Sequence, residues 1–295
     1  PGEVITTPYS FVATAHALSW NGITPVFADV EPHTYTLAPE QIEAHITPKT
    51  TAILPVQVYG NPCQHEAIQQ IADTYGLKVI YDAAHTFGAR QNGVSLAQFG
   101  DASILSFHAT KVFHTFEGGA IVCHDKKLKQ RIDYYKNFGF ADETTVIGTG
   151  INAKMNEFQA AMGLLNLKYI NAQIQGREQI ARLYCKGLAE LPGISLLPAI
   201  EGLQRNYSYF PIFLDAKKFG KTRDQVYYAL REANIFARRY FYPLITNFPA
   251  YRGLASARAD NVPEAQQLAE TVLCLPMYAQ LEHQDVQHII NRIKS

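Results

Sequence analysis

Cysteine is scarce in this sequence, and its spacing argues against several classes of protein. The four cysteines lie far apart and include no C-x-x-C pair; they are Cys63, Cys123, Cys185 and Cys274. This pattern disfavours a disulfide framework and a zinc site, and it is typical of reduced thiols. We therefore expect a cytoplasmic protein that holds no metal.

An excess of charge and long apolar runs are also lacking. The 26 basic residues balance the 26 acidic ones, so no overall field favours nucleic acid or a membrane surface as a partner. No apolar run approaches the roughly 20 residues that span a bilayer. No G-x-G-x-x-G follows a predicted strand, which disfavours a nicotinamide dehydrogenase. The 295 residues, of which 47% are hydrophobic, suffice for one large globular domain and a smaller one.

Short apolar runs alternate with helix-type patterns over the first half of the chain. Strands are predicted at 4–6, 25–30, 52–59, 77–82, 102–107 and 119–123, and helices at 11–21, 39–46, 65–75 and 125–137. This alternation indicates an α/β fold whose mostly parallel sheet is covered on both faces. We assign residues 1–165 to this large domain.

The second half has the pattern of a smaller α+β domain. A helical period begins at Asn156 and continues to about residue 191, with a bend expected near Gly176. Strands are predicted at 207–214 and 235–240, a capped helix at 225–233, and an apolar helical stripe near the end of the chain. We assign residues 166–295, including the connecting helix, to a small carboxyl-terminal domain.

Two charged residues follow apolar strands in a way that suggests a cofactor site. Asp82 ends the run 77–82, and Lys111 follows the run 102–107. Because ligands of an open parallel sheet bind at the carboxyl ends of its strands, both side chains would face one crevice. Either residue alone could be a turn cap or a solvated lysine. Together they suit pyridoxal phosphate, which forms a Schiff base with a lysine and pairs its pyridinium nitrogen with an aspartate.

Three segments around this pair carry a resemblance to a known family. D-A-A-H-T-F-G-A, S-F-H-A-T-K and E-G-G-A resemble signature segments of the DegT/StrS-type sugar aminotransferases, and the similarity extends from T-T-P-Y-S-F to R-R-Y-F-Y-P-L. It implies a fold-type-I enzyme that uses pyridoxal 5'-phosphate to aminate a keto sugar carried on a nucleoside diphosphate. L-glutamate would donate the amino group and leave as 2-oxoglutarate.

The resemblance implies seven cofactor-binding residues: Lys111, Asp82, Ala84, His85, Ser106, Phe11 and Asn152. Lys111 would carry the cofactor and move a proton, and Asp82 would keep the ring nitrogen protonated. His85 would lie near the 3'-oxygen, with Ala84 beneath the ring. Phe11 would stack on the ring, and Ser106 would bind the phosphate. The plainer interpretations are that His85 caps a turn and that Phe11 is a core aromatic residue.

Other segments are implied to lie near the substrate or a second subunit. Asn152 and Lys154 match positions that reach the cofactor phosphate of the neighbouring subunit in the family, which implies a homodimer. Relatives more often have Arg where Lys154 stands, so a bidentate clamp there is in doubt. The candidate substrate-binding residues are Arg238, Arg239, Tyr240, Tyr242 and His108, although the arginine pair could equally end a strand.

The segment before Lys111, with a histidine three residues ahead of it, looks most like family members that act at C4 of dTDP-4-keto-6-deoxyglucose. Two alternatives remain open at this point: an aminotransferase that acts at C3, and a non-catalytic truncated or regulatory relative. The second is favoured because relatives carry a Gly-Thr helix start, which binds the cofactor phosphate, before the position of Pro1. It is disfavoured by the intact Asp82–Lys111 pair.

Overall fold

The structure is a computed structural model that describes residues 2–295. Its first part alternates between strands and helices: β1 Glu3–Thr6, α1 Ala13–Trp20, β2 Thr24–Phe27, α2 Pro39–Glu43, β3 Thr50–Leu54, α3 His65–Tyr75, β4 Lys78–Asp82, β5 Arg90–Gln91, β6 Val94–Ser95, β7 Ala102–Ser106, β8 Gly119–Cys123 and α4 Lys126–Tyr135. The second part contains α5 Glu157–Leu188, β9 Ile194–Leu196, β10 Leu203–Gln204, β11 Phe210–Leu214, α6 Ala216–Phe219, α7 Arg223–Glu232, α8 Pro263–Thr271, β12 Val272–Leu275 and α9 His283–Lys294.

A six-stranded sheet in the order β2-β1-β3-β4-β7-β8 forms the centre of the first part. Five of its strands are parallel, and β8 runs antiparallel to β7. The prediction of an α/β fold with a mostly parallel sheet is therefore confirmed. Since β4 pairs with β7 in parallel, their carboxyl ends, Asp82 and Ser106, lie at the same end of the sheet.

Helices cover both faces of this sheet because neighbouring strand residues point in opposite directions. Val4 packs with Leu18 of α1 on one face. Ile5 packs with Ile68 and Ala72 of α3 on the other. Each fully buried aliphatic side chain of this kind contributes about 1.5–3 kcal/mol relative to an exposed one.

The long helix α5 leads into the second part. An Asn156–Gln159 capping box begins it, and it continues without a break through Gly176, so the expected bend is absent. Its last half packs with α7, α9 and the antiparallel sheet β12-β11-β9 around a second core. The proposed boundary between residues 165 and 166 falls within this helix.

Two strand predictions in the second part were wrong in extent. The segment 235–240 forms only one bridge, between Arg238 and Cys274. Its alternating pattern arises because Ile235 and Ala237 are buried in the second core although the segment forms no strand. The segment predicted to begin at 207 becomes a strand only at Phe210, because Tyr207 has a positive φ of 51°.

None of the helices in residues 2–295 combines the length and apolar character needed to cross a membrane.

Candidate active site

β4 ends in a carboxylate whose oxygens are both held by hydrogen bonds. Oδ2 of Asp82 accepts a hydrogen bond of 2.7 Å from the Thr14 hydroxyl. Oδ1 accepts one of 3.1 Å from the Ala84 amide. Thr14 is joined in turn to Ser10 by a hydroxyl–hydroxyl bond of 2.9 Å. Helix α1 therefore fixes the orientation of the Asp82 side chain.

Lys111 lies in the loop between β7 and β8, where it is largely buried. Its Nζ donates a hydrogen bond of 3.2 Å to the Tyr209 hydroxyl. Burial lowers the pKa of this amine, and the nearby charge of Asp82 raises it by a smaller amount. A lysine with a lowered pKa is more often neutral, and therefore nucleophilic, near neutral pH.

His85 is buried beside the same tyrosine. Its Nδ1 accepts a hydrogen bond of 3.0 Å from the Tyr59 amide, so the neutral ring carries its proton on Nε2. Burial, and then the charge of Lys111, lowers the pKa of His85 well below its ordinary value. The His85 and Tyr209 ring centroids are 4.6 Å apart. The structure thus gathers Asp82, His85 and Lys111 into one centre around Tyr209.

Three buried tyrosines that the sequence did not single out support this centre. Tyr209 contacts both Lys111 and His85. The Tyr9 and Tyr59 hydroxyls lie within hydrogen-bond distance of each other and of the main-chain oxygen of Tyr240, and their two protons are shared among these three contacts. Burial raises the pKa of Tyr9 and Tyr59 well above the ordinary value, which keeps them neutral donors. Nothing in their spacing distinguishes them from core aromatics, and only the folded chain brings them together.

The predicted substrate residues divide into two groups. The Tyr240 ring lies 6.0 Å from that of Tyr209, which brings it to the centre. Arg239 instead pairs with Asp224 at 3.0 Å and lies over the ring of Tyr242, 5.2 Å from its centroid. The Arg238 backbone bridges to Cys274, while its side chain is exposed.

The other predicted residues lie at the rim. Phe11 precedes α1 and is 58% exposed, and Ser106 ends β7 with its hydroxyl 3.4 Å from the His108 amide. The exposed His108 ring contacts Thr110 and Glu117. Asn152 lies in the exposed loop after α4. There its side chain accepts a hydrogen bond of 3.0 Å from Lys154 and makes none with Asp82, His85 or Lys111.

The geometry suits a cofactor with an aldehyde and a basic ring nitrogen. Within residues 2–295, no ion pair includes Asp82, although both of its oxygens are oriented by donors. A carboxylate held in this way is free to pair with a protonated ring nitrogen. The largely buried Lys111, with its lowered pKa, is the matching amine for the aldehyde. The residues present therefore fit pyridoxal phosphate.

Comparison with known proteins agrees with this geometry. The family model described as the DegT/DnrJ/EryC1/StrS aminotransferase family matches residues 1–294. The chain belongs to this family. It is 52% identical over 290 residues to the dTDP-4-amino-4,6-dideoxy-D-glucose transaminase of Escherichia coli, a match that covers 98% of this chain and 78% of that protein. The transaminase of the same name from Shigella dysenteriae is 50% identical, with 99% and 79% covered.

Solved structures of this family have the same fold. DesI, crystallised in the presence of its TDP-sugar product, superposes with a TM-score of 0.94 at 37% identity, covering 99% of this chain and 74% of DesI. DesV of S. venezuelae, in complex with a ketimine intermediate, gives 0.91 at 30% identity, with 99% and 77% covered. As a DegT/DnrJ/EryC1/StrS aminotransferase, the protein is an enzyme whose cofactor is pyridoxal 5'-phosphate.

Proposed function

We propose that this aminotransferase moves the amino group of L-glutamate to C4 of dTDP-4-keto-6-deoxyglucose. The observation that carries the proposal is the buried Lys111 beside the oriented Asp82, in a chain half identical to two transaminases named for the C4 amino sugar. The transaminase of Streptomyces venezuelae named for a 3-amino sugar is only 32% identical. Action at C3 is therefore less well supported, and no observation favours a non-catalytic role.

We assign the chemistry as follows. Bound pyridoxal phosphate supplies an aldehyde that takes up the amino group and a ring that accepts electrons. Lys111 would hold the aldehyde carbon, and its neutral amine would carry a proton to and from the donor's α-carbon. Asp82 would pair with the ring nitrogen, and the Nε2–H of His85 would be the donor for the 3'-oxygen. Burial, which lowers the pKa of Lys111, favours the neutral amine that accepts this proton.

We assign the remaining contacts at the rim of the centre. Phe11 would stack on one face of the cofactor ring, Ala84 would pack beneath the other, and Ser106 would donate to the phosphate. The exposed ring of Phe11 supports this assignment, because an apolar side chain left open at the end of the sheet is available to a ligand. His108 lies on the same rim.

The sugar nucleotide would bind beside Tyr240. Arg239 and Tyr242 form a cation–π cluster that also contains Arg223, whose guanidinium lies 4.4 Å from the Tyr242 ring centroid. Arginines held on aromatic faces are suited to pyrophosphate. The exposed side chain of Arg238 is available to the same group. We propose that Arg238, Arg239, Tyr240 and Tyr242 bind the nucleoside diphosphate.

We further propose a cytoplasmic homodimer with shared active sites. α5 exposes a row of large apolar side chains in its first half, and the loop that carries Asn152 is also rich in exposed apolar residues. Contiguous apolar surface of this kind is typical of subunit interfaces. Asn152 and Lys154 would then approach the cofactor phosphate of the second subunit.

The first experiment uses the purified full-length gene product supplied with pyridoxal phosphate. L-glutamate alone should release one 2-oxoglutarate per active site, and later addition of dTDP-4-keto-6-deoxyglucose should yield the 4-amino sugar. Borohydride should fix the cofactor on Lys111, as read by peptide mass spectrometry. Lys111→Ala should abolish both the fixation and the release. Release without fixation on Lys111 would contradict the assignment, and amination at C3 would correct the position.

A further inference from the structure

A polar cavity of about 390 Å³ opens beside Lys111, and no other residue that lines it has a role above. The loop after β7, the middle of α5 and the segment after β12 form its walls. Its polar lining comes from Thr110, Lys111, His114, Asn166, Gln173, Arg177, Tyr278 and Gln280. None of its lining residues is acidic. The cavity therefore offers cations and amides with no carboxylate of their own.

Arg177 is the feature of this cavity that needs an explanation. Its side chain is only 8% exposed, yet no ion pair within residues 2–295 includes it. Nη1 donates to the main-chain oxygens of Tyr207 and Met277, whereas Nε is buried without a hydrogen-bond partner. Burial lowers the pKa of Arg177 to about 10, so the guanidinium remains a cation at neutral pH.

Buried cations in proteins are usually paired with an anion, because an unpaired charge loses its hydration without compensation. Burial lowers the pKa of His114, on the same cavity wall, and the charge of Arg177 lowers it further. None of the residues that line the cavity supplies a carboxylate to neutralise this charge. An anionic ligand is the simplest partner for this site.

The cavity is held in a defined shape. Gly176 allows the segment after β12 to approach α5, because a Cβ there would lie 2.8 Å from that of Ala279. Arg177 then fixes the Met277 carbonyl at 2.8 Å. Asn166 donates a hydrogen bond of 2.7 Å to the carbonyl oxygen of His114, which holds the opposite wall. The walls are therefore fixed relative to Lys111 before any ligand arrives.

We propose that this cavity binds a carboxylate of the amino donor, with Arg177 as its counter-ion and Gln173 at its polar wall. The proposal rests on the function proposed above. In an amino acid, the α-carboxylate is attached to the same carbon as the amino group that reacts, so a cation on the wall of a cavity that Lys111 also lines is well placed to hold it. The pyrophosphate of a sugar nucleotide is separated from the reacting C4 by the sugar ring, which favours the donor as the ligand.

The test introduces a negative charge into the cavity without removing Arg177. Gln173→Glu places a carboxylate where the donor's would lie, and like charges brought together oppose binding. Gln175→Glu makes the same change two residues along α5, at an exposed position outside the cavity. We expect Gln173→Glu to raise the KM for L-glutamate about tenfold or more. Its KM for the keto sugar should remain near that of the wild type, and Gln175→Glu should match the wild type for both substrates.

Binding can also be measured without catalysis. Glutarate, a dicarboxylate with no amino group, should bind the holoenzyme in calorimetry, and Gln173→Glu should weaken this binding by a similar factor. Arg177→Gln should weaken it further, whereas dTDP binding should persist. If Arg177→Gln fails to fold, the Gln173→Glu comparison still decides the matter.

The outcomes separate this proposal from the proposed function. If the wild type releases 2-oxoglutarate but Gln173→Glu and Gln175→Glu behave alike, the carboxylate site is wrong and the aminotransferase function stands. Equal loss of affinity for glutamate and for the sugar nucleotide would also overturn the site, because the anion would then not be specific to the donor. If the wild type takes no amino group from glutamate, the proposed function itself fails.

Discussion

At the scale of single residues, the orientation of Asp82 depends on the hydroxyl of Thr14, in helix α1. The two side chains are 68 residues apart in the chain and meet because α1 begins beside the end of β4. A hydrogen bond to a charged group contributes about 1.5–3 kcal/mol. Losing it would free the carboxylate to rotate away from the ring nitrogen that we assign to it.

We therefore predict that Thr14→Val weakens cofactor binding about tenfold or more, on the strength of one charge-assisted hydrogen bond. The dissociation constant of pyridoxal phosphate can be measured by absorbance titration of cofactor-free protein. Thr14→Ser keeps the hydroxyl and should bind nearly as the wild type does. If Thr14→Val binds the cofactor as tightly as Thr14→Ser, the hydroxyl does not orient Asp82 in the way we describe.

The lysines of this chain allow a direct test of the buried amine. Burial lowers the pKa of Lys111 from its ordinary 10.5. A hydrogen bond to Asp101 raises that of the exposed Lys78. Because only the neutral amine reacts, reductive methylation of the cofactor-free protein should reach half of its maximal rate at a lower pH for Lys111 than for Lys78. Mass spectrometry of the peptides gives both midpoints in one sample, and the reverse order would contradict the inferred effect of burial.

At the scale of elements, helix α3 begins with His65, whose imidazole ring has no hydrogen-bond partner. His65 stacks on Phe99 with ring centroids 3.6 Å apart, and both of its ring nitrogens are buried and unbonded. Burial lowers its pKa from 6.5 to about 4. Between these pH values the His65 ring is protonated in the unfolded chain and neutral in the folded chain. The free energy of unfolding therefore falls as the pH falls from 6.5 to about 4.

We predict that His65→Phe stabilises the protein most at acid pH. A pKa lowered from 6.5 to about 4 corresponds to about 3 kcal/mol of lost stability by pH 4, and phenylalanine can keep the stacking on Phe99. Urea unfolding at pH 7.5 and pH 5 should show a smaller loss of stability in the variant than in the wild type. His283→Phe, at an exposed position in α9, is the matched control. An unchanged pH dependence in His65→Phe would contradict the effect.

The elements also show what could be predicted from the sequence. β1, α3, β4 and β8 lie within a residue or two of the predicted bounds, because each has a local apolar period and a Gly or Asp at or next to one of its two ends. The antiparallel direction of β8 could not be predicted, since a strand's period does not encode its direction. The strand predicted at 235–240 was wrong because alternate residues can be buried without strand pairing.

At the scale of the whole molecule, the site also contains some residues that could be predicted from the sequence and others that could not. Asp82 and Lys111 could be found because a charge that ends an apolar strand or follows it within a few residues stands out in the sequence. Thr14, Tyr209 and Arg177 could not, because each has an ordinary local pattern and reaches the centre only through tertiary packing. Arg177 lies on a helix whose period gives no sign that this cation is buried without an acidic partner.

The exposed apolar side chains of α5 also belong to the scale of the whole molecule. Phe158 is 86% exposed in the first turn of α5, and Leu164, Leu165 and Tyr169 are exposed further along the same helix. A monomer in water would leave this row solvated, at a cost that burial against a second copy removes. The loop with Asn152 is rich in exposed apolar residues too, so the proposed contact between two copies could include it.

We predict that Phe158→Glu shifts the protein from dimer to monomer and lowers activity with it. Glutamate is favourable in the first turn of a helix, so the change should not unfold α5. Sedimentation at several concentrations gives the dimer dissociation constant, and the specific activity should fall in parallel with the dimer fraction. Tyr75→Glu, at an exposed aromatic residue of α3, should leave both unchanged. A monomeric Phe158→Glu variant with full activity would mean that each subunit holds a complete site, and the roles proposed for Asn152 and Lys154 would then be wrong.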